Sequence, residues 1–573
     1  MTENKTLHTT APKDPTKKRS CFYVMIDTAI EATPRNEGKA SQEIYLDNQR
    51  LKSKVKLASG YTEEEVLKLL DNCTGFHQLV HSIGVSVKSD SDPAGTIDFV
   101  LQNWGKENIY ETGTRLRKTC PLDGSETVIK LEDYQWSSED DVVGKFAFEF
   151  GQAGDMADAT VRLYLCDGFE VPEITTEPPV AIGSKEYQAM VAKSLLNQGN
   201  NVRLKAATQK TQRGEKVIIA YVGGSITQGA GAKPINTGCY AYKSYLKFKE
   251  LYGKNEGENV HFVKAGVGGT PSELGMIRYE RDILRDGTVE PDIVIVEFAV
   301  NDNGDETKGT CFESLCLKIL SAANKPAVII LFSVFLDDWN LQDRLAPIGQ
   351  YYNLPMVSVK DAVVDQFKLT KAEGNIISKR QYFYDVYHPT NDGHTVMSDC
   401  LIHLMTETGK SHLDQEDLIF DQAPLIGNSF KEVHLLDRKD NTKKARITEG
   451  GFNQTDKDLQ MVEMDDSLYP SPEFPHNWMH TAASGKESFR IKISSKSLLI
   501  VFKDSGSIDF GKADVIVDGQ FFKTLDPHEN NWTHCNPLIL YQEDVSREHE
   551  VEIKMTVGDE EKSFTILGFG YTL

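Results

Sequence analysis

The chain has 573 residues, enough for about three or four domains of ~150 residues each. Its 63 Lys and Arg residues stand against 85 Asp and Glu residues, and the resulting net charge of −22 disfavours binding to nucleic acids or anionic membranes, which needs a basic surface. The composition is that of an ordinary soluble protein, and no apolar run reaches the ~18 residues of a membrane-spanning helix.

The N-terminal residues 1–20 are polar, and we expect them to form a flexible tail. No apolar stretch follows that could serve as the core of a signal peptide. The nine cysteines are scattered along the chain and odd in number, which argues against a disulfide framework. Together these features predict a cytoplasmic protein.

Residues 21–170 contain short β-rich runs, such as 96–100 and 145–150, separated by polar turns that contain glycine. This pattern predicts an N-terminal β-sandwich of the carbohydrate-binding-module type, with a purely packing role as the alternative. Residues 171–186 are rich in Pro and Thr and are predicted to form a linker.

Residues 187–426 alternate apolar strands with helical stretches, and runs such as 217–222 and 293–298 are typical of strands buried on both faces. Alternation of this kind predicts an α/β fold with a central parallel sheet flanked by helices. Ligands of such sheets lie beyond the carboxyl ends of the strands. Residues 427–573 are β-rich again, and we expect a second β-sandwich there.

A glycine-rich turn, 223–229, follows the first of these buried strands and contains Ser225. Such a turn can bind phosphate, bind a dinucleotide or present a nucleophilic serine. The Gly-Lys-Ser/Thr sequence of a phosphate loop is absent, and the dinucleotide pattern G-x-G-x-x-G does not fit. The turn alone does not decide between these functions, but three further segments favour the nucleophile.

The second segment, 264–270, is another glycine-rich turn after an apolar run, and its backbone N–H groups are suited to bind an oxyanion. The third places the amide side chain of Asn301 at the end of a predicted strand. The fourth contains Asp385 and His388. An Asp three residues before a His can accept the Nδ1 proton, which leaves Nε2 free to act as a base.

In this order, the four segments resemble the sequence blocks of the SGNH (GDSL-like) hydrolase superfamily. The resemblance implies that Ser225 is the nucleophile and the first oxyanion donor. It implies that the Gly269 N–H is the second donor and the Asn301 side-chain amide the third. It also implies that His388 is the general base and that Asp385 orients it.

The sequence departs from the superfamily pattern at three places. The first block reads Gly-Gly-Ser instead of Gly-Asp-Ser, and the third has Ala299 where Gly is common. The second block opens with Lys264 where Asn is usual, so a hydrogen bond behind the oxyanion loop must be replaced. None of these differences removes a proposed catalytic group.

Segments 268–272 and 278–282 also resemble a group of bacterial multi-domain carbohydrate O-acetylesterases. This narrower resemblance implies a serine esterase that removes O-acetyl groups from oligosaccharides, such as mannan or xylan fragments, through an acyl-enzyme. We expect an acetylated oligosaccharide as partner and no nucleic acid or membrane, and we leave a homo-oligomer open. No His, Cys or Asp cluster has metal-ligand spacing, so neither a metal nor another cofactor is expected.

Two C-terminal stretches share a Pro-His-…-Trp-x-His pattern, with Trp478 in the first and with Trp532 and His534 in the second. Tryptophan faces stack on sugar rings, and nearby polar groups can bind hydroxyls. We therefore predict that these residues bind substrate together with Trp339, which follows a strand of the α/β region. Burial of both C-terminal tryptophans in a sandwich core is the alternative.

Two other functions stay open. A lipase, lysophospholipase or thioesterase would use the same catalytic residues, but the sequence shows no long apolar lid. A non-catalytic carbohydrate-binding protein would be built on an inactive hydrolase scaffold, which the presence of every proposed catalytic residue disfavours.

Overall fold

The computed structural model describes residues 19–34, 40–174, 176–439 and 444–573. It divides the chain into two compact units: Met1–Val180 with Lys379–Tyr387, and Ala181–Ser378 with His388–Leu573. The predicted tail lies outside the described residues except for its last two positions. Within the described ranges, no helix combines the length and apolar character needed to cross a membrane.

The first unit consists of two antiparallel sheets that share one hydrophobic core, in agreement with a sheet-rich N-terminal region. The four-stranded sheet contains, in spatial order, Cys21–Glu31, Met156–Leu165, Val80–Lys88 and Asp123–Lys130. The five-stranded sheet contains Thr33–Pro34, Ala40–Tyr45, Asp140–Phe150, Thr96–Gly105 and Arg115–Pro121. The helices and 3₁₀ turns are Arg50–Ser59, Glu64–Leu67, Lys68–Asp71, Cys73–Leu79, Leu131–Asp133 and Lys379–Tyr382.

The segment Lys379–Tyr387 belongs to the first unit although it is distant from it in sequence. The buried Lys54 Nζ donates a hydrogen bond to the carbonyl oxygen of Tyr384 at 2.9 Å and lies 4.0 Å from the centre of its ring. Burial lowers the pKa of Lys54 to about 8, and the nearby carboxylate of Asp385 opposes this shift. The segment that carries Asp385 is therefore bound by a side chain of the N-terminal helix Arg50–Ser59.

The second unit contains an eight-stranded sheet whose five central strands are parallel, in agreement with the predicted α/β fold. Its strands, in spatial order, are Leu195–Asn197, Met356–Ser358, Ala327–Phe332, Ile293–Glu297, Val217–Gly223, Val260–Val267, Met461–Met464 and Ser471–Pro472. Every residue of Val217–Gly223, Ile293–Glu297 and Ala327–Phe332 is buried, because helices cover both faces of a parallel sheet. The last two strands come from the C-terminal part of the chain and extend the sheet in antiparallel orientation.

Helices and 3₁₀ turns connect and flank these strands. They are Lys185–Ala192, Val202–Gln212, Ser225–Gln228, Tyr240–Tyr252, Asn255–Gly257, Ser272–Asp282, Asn301–Gly304, Thr310–Leu320, Gln342–Tyr351, Val359–Phe367, Lys371–Glu373 and Asn391–Lys410.

The remaining strands of the second unit form an antiparallel sheet around a second core. Its strands are His434–Leu436, Phe564–Thr572, Phe489–Asp504, His534–Met555, Ala513–Val517 and Gln520–Leu525, with Ala445–Thr448 and Trp478–His480 paired to the side. Register shifts near Ser495 and Leu498 are β-bulges that bend the long strands.

The C-terminal sheet and the α/β region share a hydrophobic core. Leu499, Val501 and Leu567 of the sheet belong to the same buried cluster as Ile277 and Val222. Contacts therefore group residues 427–573 with the α/β region in one compact unit. The boundary at 427 stays a prediction that rests on the change in sequence pattern.

Candidate active site

Ser225 is the first residue of a short helix, Ser225–Gln228. One residue, Gly224, separates this helix from the central strand Val217–Gly223. The sharp turn requires glycines. A Cβ added at Gly223 would lie 2.2 Å from Thr227 Oγ1, and one at Gly224 would lie 2.1 Å from Asn301 Oδ1. The absence of side chains at these two positions lets the strand end come close to neighbouring groups and leaves Ser225 partly exposed.

His388 Nε2 lies 3.0 Å from Ser225 Oγ, although 163 positions separate the two residues. The turn that contains Gly231 packs closely against the segment that contains His388, since a Cβ at Gly231 would lie 2.1 Å from the carbonyl oxygen of Pro389. A nitrogen at hydrogen-bond distance from a serine hydroxyl is the arrangement that a general base needs to activate a nucleophile.

Asp385 belongs to the first unit, where its Oδ1 accepts a hydrogen bond from the backbone N–H of Tyr387 at 2.8 Å. Its predicted role, to orient His388, depends on the spacing of three residues in the sequence. That role stays a prediction.

Asn301 begins the 3₁₀ turn Asn301–Gly304, after the strand Ile293–Glu297 that pairs with the nucleophile strand. Its side chain lies against Gly224, next to Ser225. Asn301 Oδ1 is buried and has no hydrogen-bond partner within the described part of the chain. The amide therefore lies beside the nucleophile turn, and its role as an oxyanion donor stays a prediction.

Gly269 follows the neighbouring strand Val260–Val267 and has a φ of +71°, a conformation that glycine adopts without strain. A Cβ at Gly268 would lie 4.0 Å from the Cβ of Ser225, so this loop borders the nucleophile. Ser225, Gly269 and Asn301 thus follow the carboxyl ends of three adjacent parallel strands.

This geometry agrees with the comparisons with known proteins. Residues 221–396 match the model of the GDSL-like Lipase/Acylhydrolase family. Over these residues the chain is similar to GDSL-like lipases and acylhydrolases. The expected resemblance to SGNH hydrolases is confirmed, and the protein is a carboxylic ester hydrolase with additional sheet-rich regions.

Solved structures support the same assignment. A two-domain esterase (CEX) active on acetylated mannans is 25% identical, and the alignment covers 66% of this chain and 98% of that chain with a TM-score of 0.56. The same kind of esterase co-crystallized with mannopentaose shares the fold at 24% identity, covering 66% of this chain and 97% of that chain with a TM-score of 0.55. No curated protein sequence matches the chain.

Trp532 lies beside the candidate oxyanion glycine, Gly269. A Cβ at Gly269 would lie 3.2 Å from Trp532 Cζ2, and the Trp532 side chain is 41% exposed. Trp339 is half-buried and stacks on Phe335, with ring centroids 5.8 Å apart. The substrate-binding roles of these two tryptophans stay predictions.

Two predicted substrate-binding residues are corrected by their surroundings. Trp478 is fully buried in the core of the C-terminal sheet, where its Nε1 donates a hydrogen bond to Glu449, so its faces cannot reach a sugar. His534 is also buried, with Nε2 3.2 Å from the carbonyl oxygen of Gly269 and Nδ1 2.7 Å from Asn536 Oδ1. Both ring nitrogens of His534 are engaged within the protein, so neither is free to bind a sugar hydroxyl.

Glu297 is a buried acidic residue near the site, for which the sequence suggests an arginine partner but no catalytic role. It ends the strand next to the nucleophile strand and accepts hydrogen bonds from Ser333 Oγ at 2.5 Å and from Thr227 Oγ1 at 3.3 Å. Burial raises the pKa of Glu297 to about 7, against the opposing effects of these hydrogen bonds and of His388. The available signal was one acidic residue at the end of an otherwise apolar strand.

Asp302 fixes the loop that carries Asn301. Its two carboxylate oxygens accept hydrogen bonds from the backbone N–H of Ser272 at 2.7 Å and from the Ser272 hydroxyl at 2.8 Å. Its own carbonyl oxygen accepts a hydrogen bond from Arg344 at 2.7 Å. Burial, and after it the charge of Asp305, raises the pKa of Asp302 to about 8.

Glu273, Asp305 and Cys311 have possible ligand atoms within 4.8 Å of one another and are all buried. The Asp305 oxygens already accept hydrogen bonds from the backbone N–H groups of Thr307 at 2.8 Å and Gly309 at 2.7 Å. Burial, followed by the charge of Asp305, raises the pKa of Glu273 to about 9.

This raised pKa predicts a pH-dependent stability difference for Glu273→Gln. The pKa of Glu273 is about 9 in the folded protein, whereas the ordinary value is 4.5. The protonated carboxyl therefore makes its full contribution to the free energy of unfolding below pH 4.5, and this contribution is lost as the pH rises towards about 9. The glutamine variant does not titrate. Its melting temperature relative to wild type should therefore rise steadily over this range, as measured by thermal denaturation at several pH values.

The matched control is Glu258→Gln, which changes an exposed acidic residue of the same unit. Its melting temperature should keep a constant offset from wild type across the same pH range. A constant offset for Glu273→Gln as well would show that Glu273 is ionised in the folded protein.

Proposed function

We propose that this protein is a serine esterase that removes O-acetyl groups from oligosaccharides, such as mannan or xylan fragments. The observation that carries the proposal is the 3.0 Å distance from His388 Nε2 to Ser225 Oγ at the end of a buried parallel strand. The similarity to an esterase active on acetylated mannans supports the substrate class.

In the proposed mechanism, Ser225 Oγ attacks the carbonyl carbon of the acetyl ester while His388 Nε2 takes the hydroxyl proton. The backbone N–H groups of Ser225 and Gly269 and the Asn301 amide stabilise the oxyanion of the tetrahedral intermediate. His388 then gives the proton to the sugar oxygen as the bond from that oxygen to the carbonyl carbon breaks. Water attacks the acetyl-enzyme with His388 again as base, and acetate leaves. Asp385 is proposed to hold His388 in the required orientation.

The surroundings of Gly269 favour a short acyl group. His534 Nε2 and Trp532 Cζ2 both lie 3.2 Å from the position of an added Cβ at this glycine, closer than an ordinary van der Waals contact, so the space beside the proposed oxyanion site is narrow. We also propose a cytoplasmic location on the ground of the nine scattered cysteines, and the substrate would then be an imported oligosaccharide rather than a polymer.

Ser225→Ala tests the nucleophile. The substitution should lower kcat for p-nitrophenyl acetate by ~10⁴- to 10⁶-fold, as in other serine triads. It should leave the melting temperature unchanged, because Ser225 is a partly exposed turn residue. Near-normal turnover of a folded variant would remove Ser225 as nucleophile and the proposed function with it.

Acyl length tests the substrate class. We expect kcat/KM to be much higher for p-nitrophenyl acetate than for the octanoate or longer esters, because the narrow space beside Gly269 suits a small acyl group. The measurement is a series of p-nitrophenyl esters at equal concentration, followed by acetate release from acetylated mannan and xylan oligosaccharides. Higher kcat/KM on long chains would favour a lipase instead.

Trp532→Ala tests the sugar platform. The substitution should raise KM for acetylated oligosaccharides and spare p-nitrophenyl acetate, because the small ester needs no stacking surface. Phe521→Ala is the matched control, since Phe521 is another exposed aromatic residue, on the strand Gln520–Leu525. If Trp532→Ala keeps full rates on both substrates, the hypothesis that Trp532 forms a platform for the sugar is wrong. If both rates fall along with the melting temperature, Trp532 has a structural role.

A further inference from the structure

The candidate oxyanion loop is bound from behind by a residue of the C-terminal region. Gln460 Nε2 donates a hydrogen bond to the carbonyl oxygen of Gly268 at 2.7 Å, across 192 positions of sequence. Gln460 is 8% exposed, so little water competes for this carbonyl.

The geometry of the peptide bond makes this contact important for Gly269. The carbonyl of Gly268 and the N–H of Gly269 belong to one planar peptide group, and in a trans peptide they point in opposite directions. A hydrogen bond that fixes the carbonyl therefore also fixes the direction of the N–H. Two consecutive glycines allow many backbone conformations, so the loop depends on such contacts for a single orientation.

Gln460 is itself held in place. Its Oε1 accepts a hydrogen bond from the backbone N–H of Cys535 at 2.9 Å, at the start of the strand His534–Met555. With the oxygen bound to a donor and the nitrogen bound to an acceptor, rotation of the amide by half a turn would break both bonds. The side chain thus joins two backbone segments in a defined orientation.

The next peptide of the loop is supported from the same strand. His534 Nε2 contacts the Gly269 carbonyl oxygen at 3.2 Å, and His534 Nδ1 contacts Asn536 Oδ1 at 2.7 Å. Asn536 Nδ2 in turn donates to Asp504 at 2.9 Å. The two carbonyls on either side of the Gly269 Cα therefore both meet side chains of the C-terminal region.

Lys264, at the position where Asn is usual, does not supply this support. Its Nζ donates a hydrogen bond to the carbonyl oxygen of Gln228 at 3.0 Å, on the short helix that Ser225 begins. The hydrogen bond behind the oxyanion loop comes instead from Gln460, which binds the carbonyl oxygen of Gly268.

We propose that Gln460 is a positioning residue of the esterase, which orients the Gly268–Gly269 peptide so that the Gly269 N–H points at the developing oxyanion. The inference rests on the proposed function and extends it, because it makes the C-terminal sheet region part of the catalytic apparatus and not only a sugar-binding attachment.

The test is Gln460→Met, which keeps the side-chain length but has no donor, together with Gln460→Glu, which keeps an acceptor for Cys535. For p-nitrophenyl acetate, kcat per active site should fall ~10- to 100-fold in both variants, since a misdirected donor loses part of the effect of one oxyanion group. KM should change by less than about 3-fold, because the donor acts mainly in the transition state. Active sites are counted by titration with a phosphonate that reacts with Ser225.

A second measurement separates orientation from stability. The rate of inactivation by the same phosphonate should fall in parallel with kcat, since its adduct also places an oxygen near the Gly269 N–H. The control is Asn477→Ala, which removes another buried amide of this region that bonds the backbone of Asp456 and Phe474. That variant should lower the melting temperature and leave kcat per active site unchanged.

The outcomes distinguish the two proposals. If Ser225→Ala keeps its activity, the proposed function fails whatever Gln460 does. If Ser225→Ala is inactive and both Gln460 variants keep kcat within about 2-fold of wild type per active site, the positioning role is wrong and the esterase stands. Failure of both Gln460 variants to fold would also overturn the inference, because Gln460 would then be needed for the fold itself.

Discussion

The candidate site depends on the parallel sheet, which brings the nucleophile turn and the two proposed oxyanion loops to one edge. The nucleophile turn follows Val217–Gly223, the proposed oxyanion loops follow the strands on either side, and every pairing between these strands is parallel. The glycines at 223 and 224 permit this convergence, because the space of their missing side chains is occupied by Thr227 and Asn301. A side chain at either position would push the nucleophile turn away from the loops that stabilise the oxyanion.

The C-terminal region is built into the same unit. Met461–Met464 pairs with the strand Val260–Val267 on the side away from Val217–Gly223, so the strand that leads into the Gly269 loop is paired on both sides. The C-terminal sheet contributes side chains to the core beneath the α/β region. Gln460 lies immediately before the strand Met461–Met464. Because this strand pairs with Val260–Val267, it brings the Gln460 amide to the carbonyl of Gly268. Strand pairing, core packing and loop support thus all come from the C-terminal part of the chain.

The sequence predicts features that depend on short-range patterns. It does not predict the burial and contacts of residues whose environment is set by segments far away in the chain. Buried strands, the serine turn and the order of the four segments follow from residue type and spacing, and the parallel α/β sheet agrees with them. The repeated Pro-His-…-Trp-x-His pattern, by contrast, occurs in two different environments. Trp478 is fully buried and Trp532 is 41% exposed, because sheet pairing places one on a core-facing strand and the other on a loop. His480 is buried with both ring nitrogens within hydrogen-bond distance of backbone carbonyl oxygens, so a histidine that flanks a tryptophan does not by itself imply a sugar site. Gln460 has no signature in sequence, since its partner lies 192 positions away.

Glu297 illustrates how a residue that weakens a strand in isolation is retained at such a site. An ionised carboxyl in an apolar strand is costly, and burial accordingly raises its pKa to about 7. The hydrogen bonds from Ser333 and Thr227 offset part of that cost, and each comes from a different element: Ser333 follows the strand Ala327–Phe332, and Thr227 lies on the helix that Ser225 begins. Thr227 Oγ1 also contacts the hydroxyl of Tyr240 at 2.8 Å, so the bonds continue to the helix Tyr240–Tyr252. A hydrophobic residue at 297 would leave the Ser333 and Thr227 hydroxyls with fewer partners, and the nucleophile helix would keep only its hydrogen bond from Lys264 as a side-chain connection of this kind to the sheet.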